Sequence, residues 1–330
     1  MPARVQIRDI VAERGERVQG WLTIGETPAG PLRVPLVIIN GHDDGPTLCL
    51  TAGVHAAEYA PIDAAMRLLQ MIQPNSLRGA VIVVPVVNMR MFEHRSGFVS
   101  PLDGLNLNKI APGRNDGSIS EILADVLLRE VIGAAEYHID LHAGDLGEML
   151  LPFGGYSLTG NADLDRKGEA LARAYSPSLI SLATPDGTIP PFPGSLNFSA
   201  TRNGVVSILA ESGGNGTLEE ADVQTHLDGV QNIMRYLGML EGAAPPADAP
   251  RIAARDRIVV RAARSGLVRL LVRLGDEISA GQELAEIRNV FGEIVEVLRA
   301  PGSCIAGLIW THKVVNTGDP VVRYWITEPA

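Results

Sequence analysis

Cysteine is scarce in this chain: Cys49 and Cys304 are the two present in 330 residues. They lie far apart, without the spacing of a metal or redox pair, so both read as reduced thiols packed as small hydrophobes. Long hydrophobic runs are also missing. No stretch approaches the ~20 apolar residues that span a bilayer, and the opening MPARVQIRDIVAERGERV lacks an apolar core of signal-peptide length. A cytoplasmic protein without a membrane partner is therefore expected. The third lack is of basic clusters. The formal net charge is −10 and no local patch offsets it, which excludes a sequence-independent hold on nucleic acid or anionic membrane.

What is present describes a well-cored globule, with 46% hydrophobic and 20% charged residues. The length favours two domains. Residues 1–40 read as short β-rich pieces, notably Val34 to Ile39, followed by turn chemistry at Asn40-Gly41. An apolar strand over 47–52 leads into a helical pattern from Ile62 to Ile72, ended by Pro74-Asn75. Ala80 to Val87 is a β-branched run, as expected of a strand covered on both faces. A long Gly/Pro/Asn-rich loop, Asn88 to Gly117, precedes a capping box at Ser118 and Glu121 and a helix to about Ile132. Tyr137 to Leu141 and Val205 to Ala210 are further strands, and residues 222–240 a last helix. This alternation predicts an α/β fold with a largely parallel sheet flanked by helices.

Glu241 to Pro250, EGAAPPADAP, is a linker by composition. It divides an α/β part (1–245) from a part (251–330) of short β runs punctuated by glycine, with no helical period. Two turns of that second part, Leu274-Gly275-Asp276 and Thr317-Gly318-Asp319, resemble each other and suggest pseudo-symmetry.

Polar groups collect where the proposed strands end. His55 and Glu58 follow the first in an HxxE spacing, and Asn88 follows the second, with Arg95, Asn108 and Lys109 further into the loop. Asp140 and His142 end the third, and Glu211 the fourth. HxxE alone is a weak pattern that more often marks a helix-start ion pair or a solvated face. With His142 it makes a two-histidine, one-carboxylate set of the kind that binds catalytic zinc and keeps a position open. Asp140 alternates with His142, so both can face one side and Asp140 can steady the imidazole. His138 shares that parity and is a second candidate ligand. Beside a metal, Glu211 reads as general base and acid and Arg95 as the oxyanion partner. Asn108 and Lys109, with Asn88 nearby, can bind a substrate carboxylate.

Taken in order, GVHAAE, the N-x6-R spacing from Asn88 to Arg95, DGLNLNK, PG, DLHAG and AESGG resemble the succinylglutamate desuccinylase/aspartoacylase family of zinc carboxypeptidase-like enzymes. The resemblance covers residues 40–240. It implies one zinc per chain on His55, Glu58 and His142, with Glu211 as catalytic carboxylate, Arg95 as oxyanion-binding arginine, and Asn108 and Lys109 in place of the Asn-Arg pair that grips the substrate carboxylate. The implied activity is hydrolysis of the amide bond of a small N-acyl amino acid. A carboxypeptidase acting on peptides and a non-catalytic binding protein on the same fold are the alternatives. Two positions depart from the family pattern: Ala56-Ala57 replace Gly-Asp, and Lys109 replaces arginine, keeping the charge but losing the bidentate fork. Either the substrate is less acidic, or another arginine (Arg90, Arg114 or Arg202) compensates. The second part resembles the barrel-sandwich hybrid of biotinyl and lipoyl domains. Its one lysine, Lys313, has no carrier-type setting, so a structural role is expected, narrowing the pocket mouth or joining a homo-oligomer.

Overall fold

The computed structural model describes residues 4–175, 179–183, 193–244 and 252–329. In chain order it begins with five strands, β1 (Arg4–Ile7), β2 (Ile10–Glu13), β3 (Arg17–Thr27), β4 (Gly30–Asn40) and β5 (Asp43–Ala52). Then come α1 (Tyr59–Met71), β6 (Arg78–Val84), α2 (Met89–His94), α3 (Ile119–Val126), β7 (Tyr137–His142), β8 (Glu148–Ser157), α4 (Ala162–Tyr175), β9 (Leu179–Ala183), α5 (Leu196–Arg202), β10 (Val206–Gly214) and α6 (Glu220–Tyr236). The remaining elements are all strands: β11 (Ile252–Arg261), β12 (Gly266–Leu270), β13 (Glu277–Ile278), β14 (Glu283–Arg288), β15 (Ile294–Arg299), β16 (Cys304–Trp310), β17 (Val314–Val315) and β18 (Pro320–Pro329).

Twelve strands form one mixed sheet in the order β13-β16-β18-β11-β9-β8-β10-β7-β5-β6-β4-β3. Its centre, β6-β5-β7-β10, is parallel, as the buried β-branched runs require. Antiparallel β4 and β3 extend one side. The other side continues through antiparallel β8, and β16 closes back onto β8 at Leu308–Leu150. Four shorter strands, β15-β14-β12-β17, make a separate antiparallel sheet. The fold is thus the expected α/β sheet flanked by helices, with an additional antiparallel β sheet, although four strands of the last eighty residues (β11, β18, β16 and β13) run into the main sheet itself.

Side-chain alternation along the central strands separates two cores. Leu48 and Leu50 of β5, Val81 and Val83 of β6, Ile139 and Leu141 of β7, and Ile208 and Ala210 of β10 pack under α1, α4 and α6. Cys49, Ile82 and Val84 face the other way, into a core shared with α3, α5 and the first strands. Each fully buried Leu, Ile or Val contributes about 1.5–3 kcal/mol, so the sheet centre is the most firmly held part of the molecule. Period-two geometry then places Thr51, Asp140, His142, Leu209 and Glu211 on the second face.

Several local expectations are refined. The long loop contains α2 and a single 3-10 turn at Leu107–Lys109. The helix after Ser118, whose N–H donates to Glu121 Oε2 at 2.7 Å, passes into a π-helical turn at Leu127–Val131. The segment between β7 and β10 holds β8, α4, β9 and α5, which the sequence pattern did not reveal. The two Gly-Asp turns do match: Asp276 Oδ2 accepts from Arg273 N–H and Asp319 Oδ2 from Asn316 N–H, each at 2.7 Å. Most of the expected linker, residues 245–250, lies outside the described residues. No helix among the described residues is long and apolar enough to cross a membrane.

Candidate metal centre and substrate cavity

The site forms where β5, β7 and β10 end. Gly53, at φ +68°, turns the chain out of β5 with Val86 Cα and the Ile62 side chain against the place a Cβ would take, a conformation that glycine adopts without strain. The turn carries His55 inward and leaves Glu58 at the N-cap of α1. β7 delivers His142 from the neighbouring strand. His55, Glu58 and His142 are all buried, and one ligand atom from each lies within 4.8 Å of the others.

Glu58 is the hub. Its Oε1 lies 2.8 Å from His55 Nδ1 and its Oε2 3.0 Å from His142 Nδ1, and Oε2 also accepts from the Ala143 N–H at 2.9 Å. Asn106 holds the far nitrogen of His55, and Asp140 stands behind that of His142. Asn106 Oδ1 accepts from the Asn108 N–H at 2.9 Å, which fixes the amide orientation because a backbone N–H can only donate. The same oxygen lies 3.0 Å from His55 Nε2, so Nε2 is the donor and a neutral ring keeps its Nδ1 lone pair for the Glu58 side. Asp140 Oδ2 lies 3.3 Å from His142 Nε2, and its Oδ1 accepts from the Thr51 hydroxyl at 2.6 Å.

This donor set fits a divalent cation. Two imidazole Nδ1 atoms converge on one carboxylate, an arrangement that calls for positive charge between them. Burial opposes charge on His142, yet Glu58 and Asp140 outweigh it and hold its pKa well above the usual histidine range. Burial likewise would raise Glu58, but His142 and His55 hold it down at about 2. His138 does not join the group. It lies between the Thr51 and Ser207 hydroxyls, at 2.8 Å from each, and burial lowers it to about 4.

Glu211 sits on β10 directly beside His142 in register. Its Oε2 is buried without a hydrogen-bond partner. Burial, aided by the charges of Glu58, Glu148 and Asp140 and opposed by His142, raises it to about 8. Behind it, Tyr175 of α4 donates to His226 Nδ1 at 2.8 Å, and His226 Nε2 of α6 reaches the Ser212 carbonyl at 3.3 Å, so two helices brace the strand end.

A cavity of about 500 Å³ opens from this group. Asn108 and Lys109 line it as expected, and Asn108 Oδ1 is buried without a protein partner. Asn88 and Arg95 do not line it. Asn88 is a helix cap, its Oδ1 accepting from the Met91 N–H at 3.3 Å. Arg95 ends the six-residue α2 in the left-handed region, φ 54°, and is exposed. Phe98 takes the inner place instead, also at positive φ (55°), its ring 5.5 Å from His55 edge-on and its N–H held by Asp145 at 2.6 Å. None of the three proposed compensating arginines lines the cavity: Arg90 pairs with Glu93, Arg114 lies near Asp116 and Glu121, and Arg202 lies over Phe198.

The arginines that do line it are Arg257 of β11 and Arg323 of β18, together with Glu148, Asn197, Trp310 and Trp325. None of these was picked out from the sequence. The signal was present in the pattern: both arginines sit inside strands, on the parity opposite the apolar Val322 and Tyr324.

A succinylglutamate desuccinylase/aspartoacylase catalytic-domain profile matches residues 44–237, and the chain belongs to this family. Among curated relatives, the N-alpha-acetyl-L-2,4-diaminobutyric acid deacetylase of Halomonas elongata is 29% identical over 269 residues, 80% of this chain and 77% of the relative. A succinylglutamate desuccinylase from Silicibacter sp. TM1040 superposes with a TM-score of 0.87 at 22% identity, covering 98% of this chain and 97% of its own. The product-bound ectoine utilization protein EutE from Ruegeria pomeroyi gives 0.83 at 22% identity, with 94% of each chain covered.

Proposed function

We propose that the protein is a zinc-dependent hydrolase that cleaves the amide bond of small N-acyl amino acids. The observation that carries this reading is the convergence of His55, Glu58 and His142 beside the unpartnered Glu211 oxygen at the inner end of a cavity. The deacetylase and desuccinylase names of its relatives support the same reaction class. His55, Glu58 and His142 would hold one zinc per chain, and when bound it supplies Lewis-acid polarisation of the carbonyl and a more acidic water.

The chain's own groups do the rest. Glu211 takes a proton from the attacking water at its free oxygen and delivers it to the leaving amine nitrogen. Asn108 offers an acceptor, and Lys109 a point charge, to the bound substrate. Asn106 fixes the His55 imidazole from behind, and the Asp140 carboxylate lies behind that of His142 as a charge partner. Residues 1–245 form the catalytic part in this reading, and residues 251–330 narrow the mouth so that small substrates are favoured.

Purified protein supplied with zinc is expected to release free amine from a panel of N-acyl amino acids and to leave peptides intact. Glu211→Gln is expected to keep the metal and lose roughly 10²–10⁴-fold in turnover, the usual weight of a general base. Failure to take up stoichiometric zinc, or undiminished turnover by Glu211→Gln, would refute the assignment.

A further inference from the structure

The strands that roof the cavity have two faces of different character. On β11 and β18, Ile258 pairs with Tyr324 and Val260 with Val322, and these side chains pack into the core of the small β unit. The intervening positions face the other way. Arg257 stands opposite Trp325 and Arg323 opposite Val259, so the two arginines are diagonal neighbours on one face, a separation that long side chains bridge. Leu308 and Trp310 of β16 complete that face. The Arg323 guanidinium lies 5.2 Å from the Trp310 ring centroid, a cation–π contact within the cavity wall. Its Nε is buried with no hydrogen-bond partner.

The two guanidiniums share one cavity wall and repel each other, and leaving the buried Arg323 Nε without a partner costs free energy unless an acceptor joins it. Burial, with Arg323 beside it, pushes Arg257 down to about 10. Burial also lowers Arg323 against the opposing charges of Glu148 and Glu211, and no ion pair joins Arg323 to Glu148 among the described contacts. The planar fork of arginine matches a carboxylate, which the lysine at position 109 cannot do.

We propose that Arg257 and Arg323 form a carboxylate-binding subsite, so that the small β unit reads the anionic end of the substrate. This rests on the N-acyl amino acid hydrolase reading above. The carboxylate belongs either to the amino acid or to a dicarboxylic acyl group, and the wall of Trp310, Trp325 and Leu308 takes the apolar carbon skeleton beside it.

The test uses the zinc-loaded full chain with two substrate pairs. N-acetyl-L-leucine against N-acetyl-L-leucinamide reads the amino-acid carboxylate, and N-succinyl-L-leucinamide against N-acetyl-L-leucinamide reads the acyl carboxylate. The wild type is expected to prefer the anionic member of one pair in kcat/KM. Arg257→Gln and Arg323→Gln should each shrink that preference at least tenfold, chiefly through KM, with Arg323→Lys intermediate. The pair whose preference collapses identifies the carboxylate. Unchanged preferences, or a loss confined to kcat, would overturn the proposal. Calorimetric binding of N-acetyl-L-leucine and N-succinyl-L-leucinamide to zinc-loaded Glu211→Gln, with and without each arginine substitution, separates the two readings. If the wild type hydrolyses neither pair, the hydrolase reading fails, while at least tenfold weaker binding on loss of either arginine still supports the subsite and equal binding refutes it. Thermal melts and zinc stoichiometry of each variant identify any that misfolds.

Discussion

Replacing Asn106 with alanine should weaken the metal centre without removing any atom that would hold the metal. Asn106 Oδ1 is the acceptor for His55 Nε2 at 3.0 Å and for the Asn108 N–H at 2.9 Å. Alanine leaves His55 free to rotate and to place its proton on either nitrogen, including the Nδ1 that faces Glu58. Loss of such an outer hydrogen bond weakens metal binding about 10–100-fold, which corresponds to ~1.4–2.7 kcal/mol. The lost cap at Asn108 adds about 1 kcal/mol of destabilisation. Asn106→Asp keeps an acceptor at the same place and adds charge behind the ring, so it should bind zinc at least as well as the wild type. Competition with a chromophoric chelator at fixed pH measures both. Zinc affinity of Asn106→Ala within twofold of wild type would show that His55 is oriented by something else.

Four further outcomes follow from the geometry. Tyr175→Phe strands His226 Nδ1 in the core, and urea unfolding should show a loss of about 1–3 kcal/mol. His138, held near pH 4 when folded against about 6.5 in an exposed histidine, binds its proton more readily in the unfolded chain. Its contribution is intact above pH 6.5 and is lost as pH falls toward 4, amounting to about 2 kcal/mol at pH 5; His138→Asn should flatten that part of the stability profile. Gly194→Ala puts a Cβ at φ +99° into the Lys109 carbonyl, so KM should rise at least fivefold in steady-state assays while zinc stoichiometry stays at one. Arg95→Ala, at an exposed position outside the cavity lining, should change kcat less than tenfold, and a larger drop would mean that this side chain turns inward during turnover.

How much of this was legible in the sequence depended on whether a residue's neighbours were local. His55, Glu58, His142 and Glu211 sit at the ends of apolar runs that are recognisable one by one, and parallel packing of such strands brings their ends to one edge. Asn106 and Asn108 occupy the same short motif, and choosing which orients a ligand depends on the 3-10 turn that points Asn106 back at His55. For Arg95 the spacing counts residues along the chain and does not register the left-handed C-cap of α2, where the side chain stands exposed and outside the cavity lining. Arg257 and Arg323 escaped notice for another reason. They lie more than a hundred residues beyond His142, the last of the metal group, and only the continuation of the main sheet through β9, β11 and β18 carries them over it.

That continuation also determines how the last eighty residues can be lost or exchanged. β9 pairs with β11, and β8 with both β10 and β16. Ending the chain near residue 250 would leave the backbone N–H and C=O groups of β9 facing water, together with the portion of β8 that β16 covers. Open edges of this kind recruit strands from other molecules. A shortened chain is therefore expected to precipitate rather than persist as a smaller, less selective catalyst. Homologous recombination at that boundary would have to preserve strand register before it could vary substrate preference.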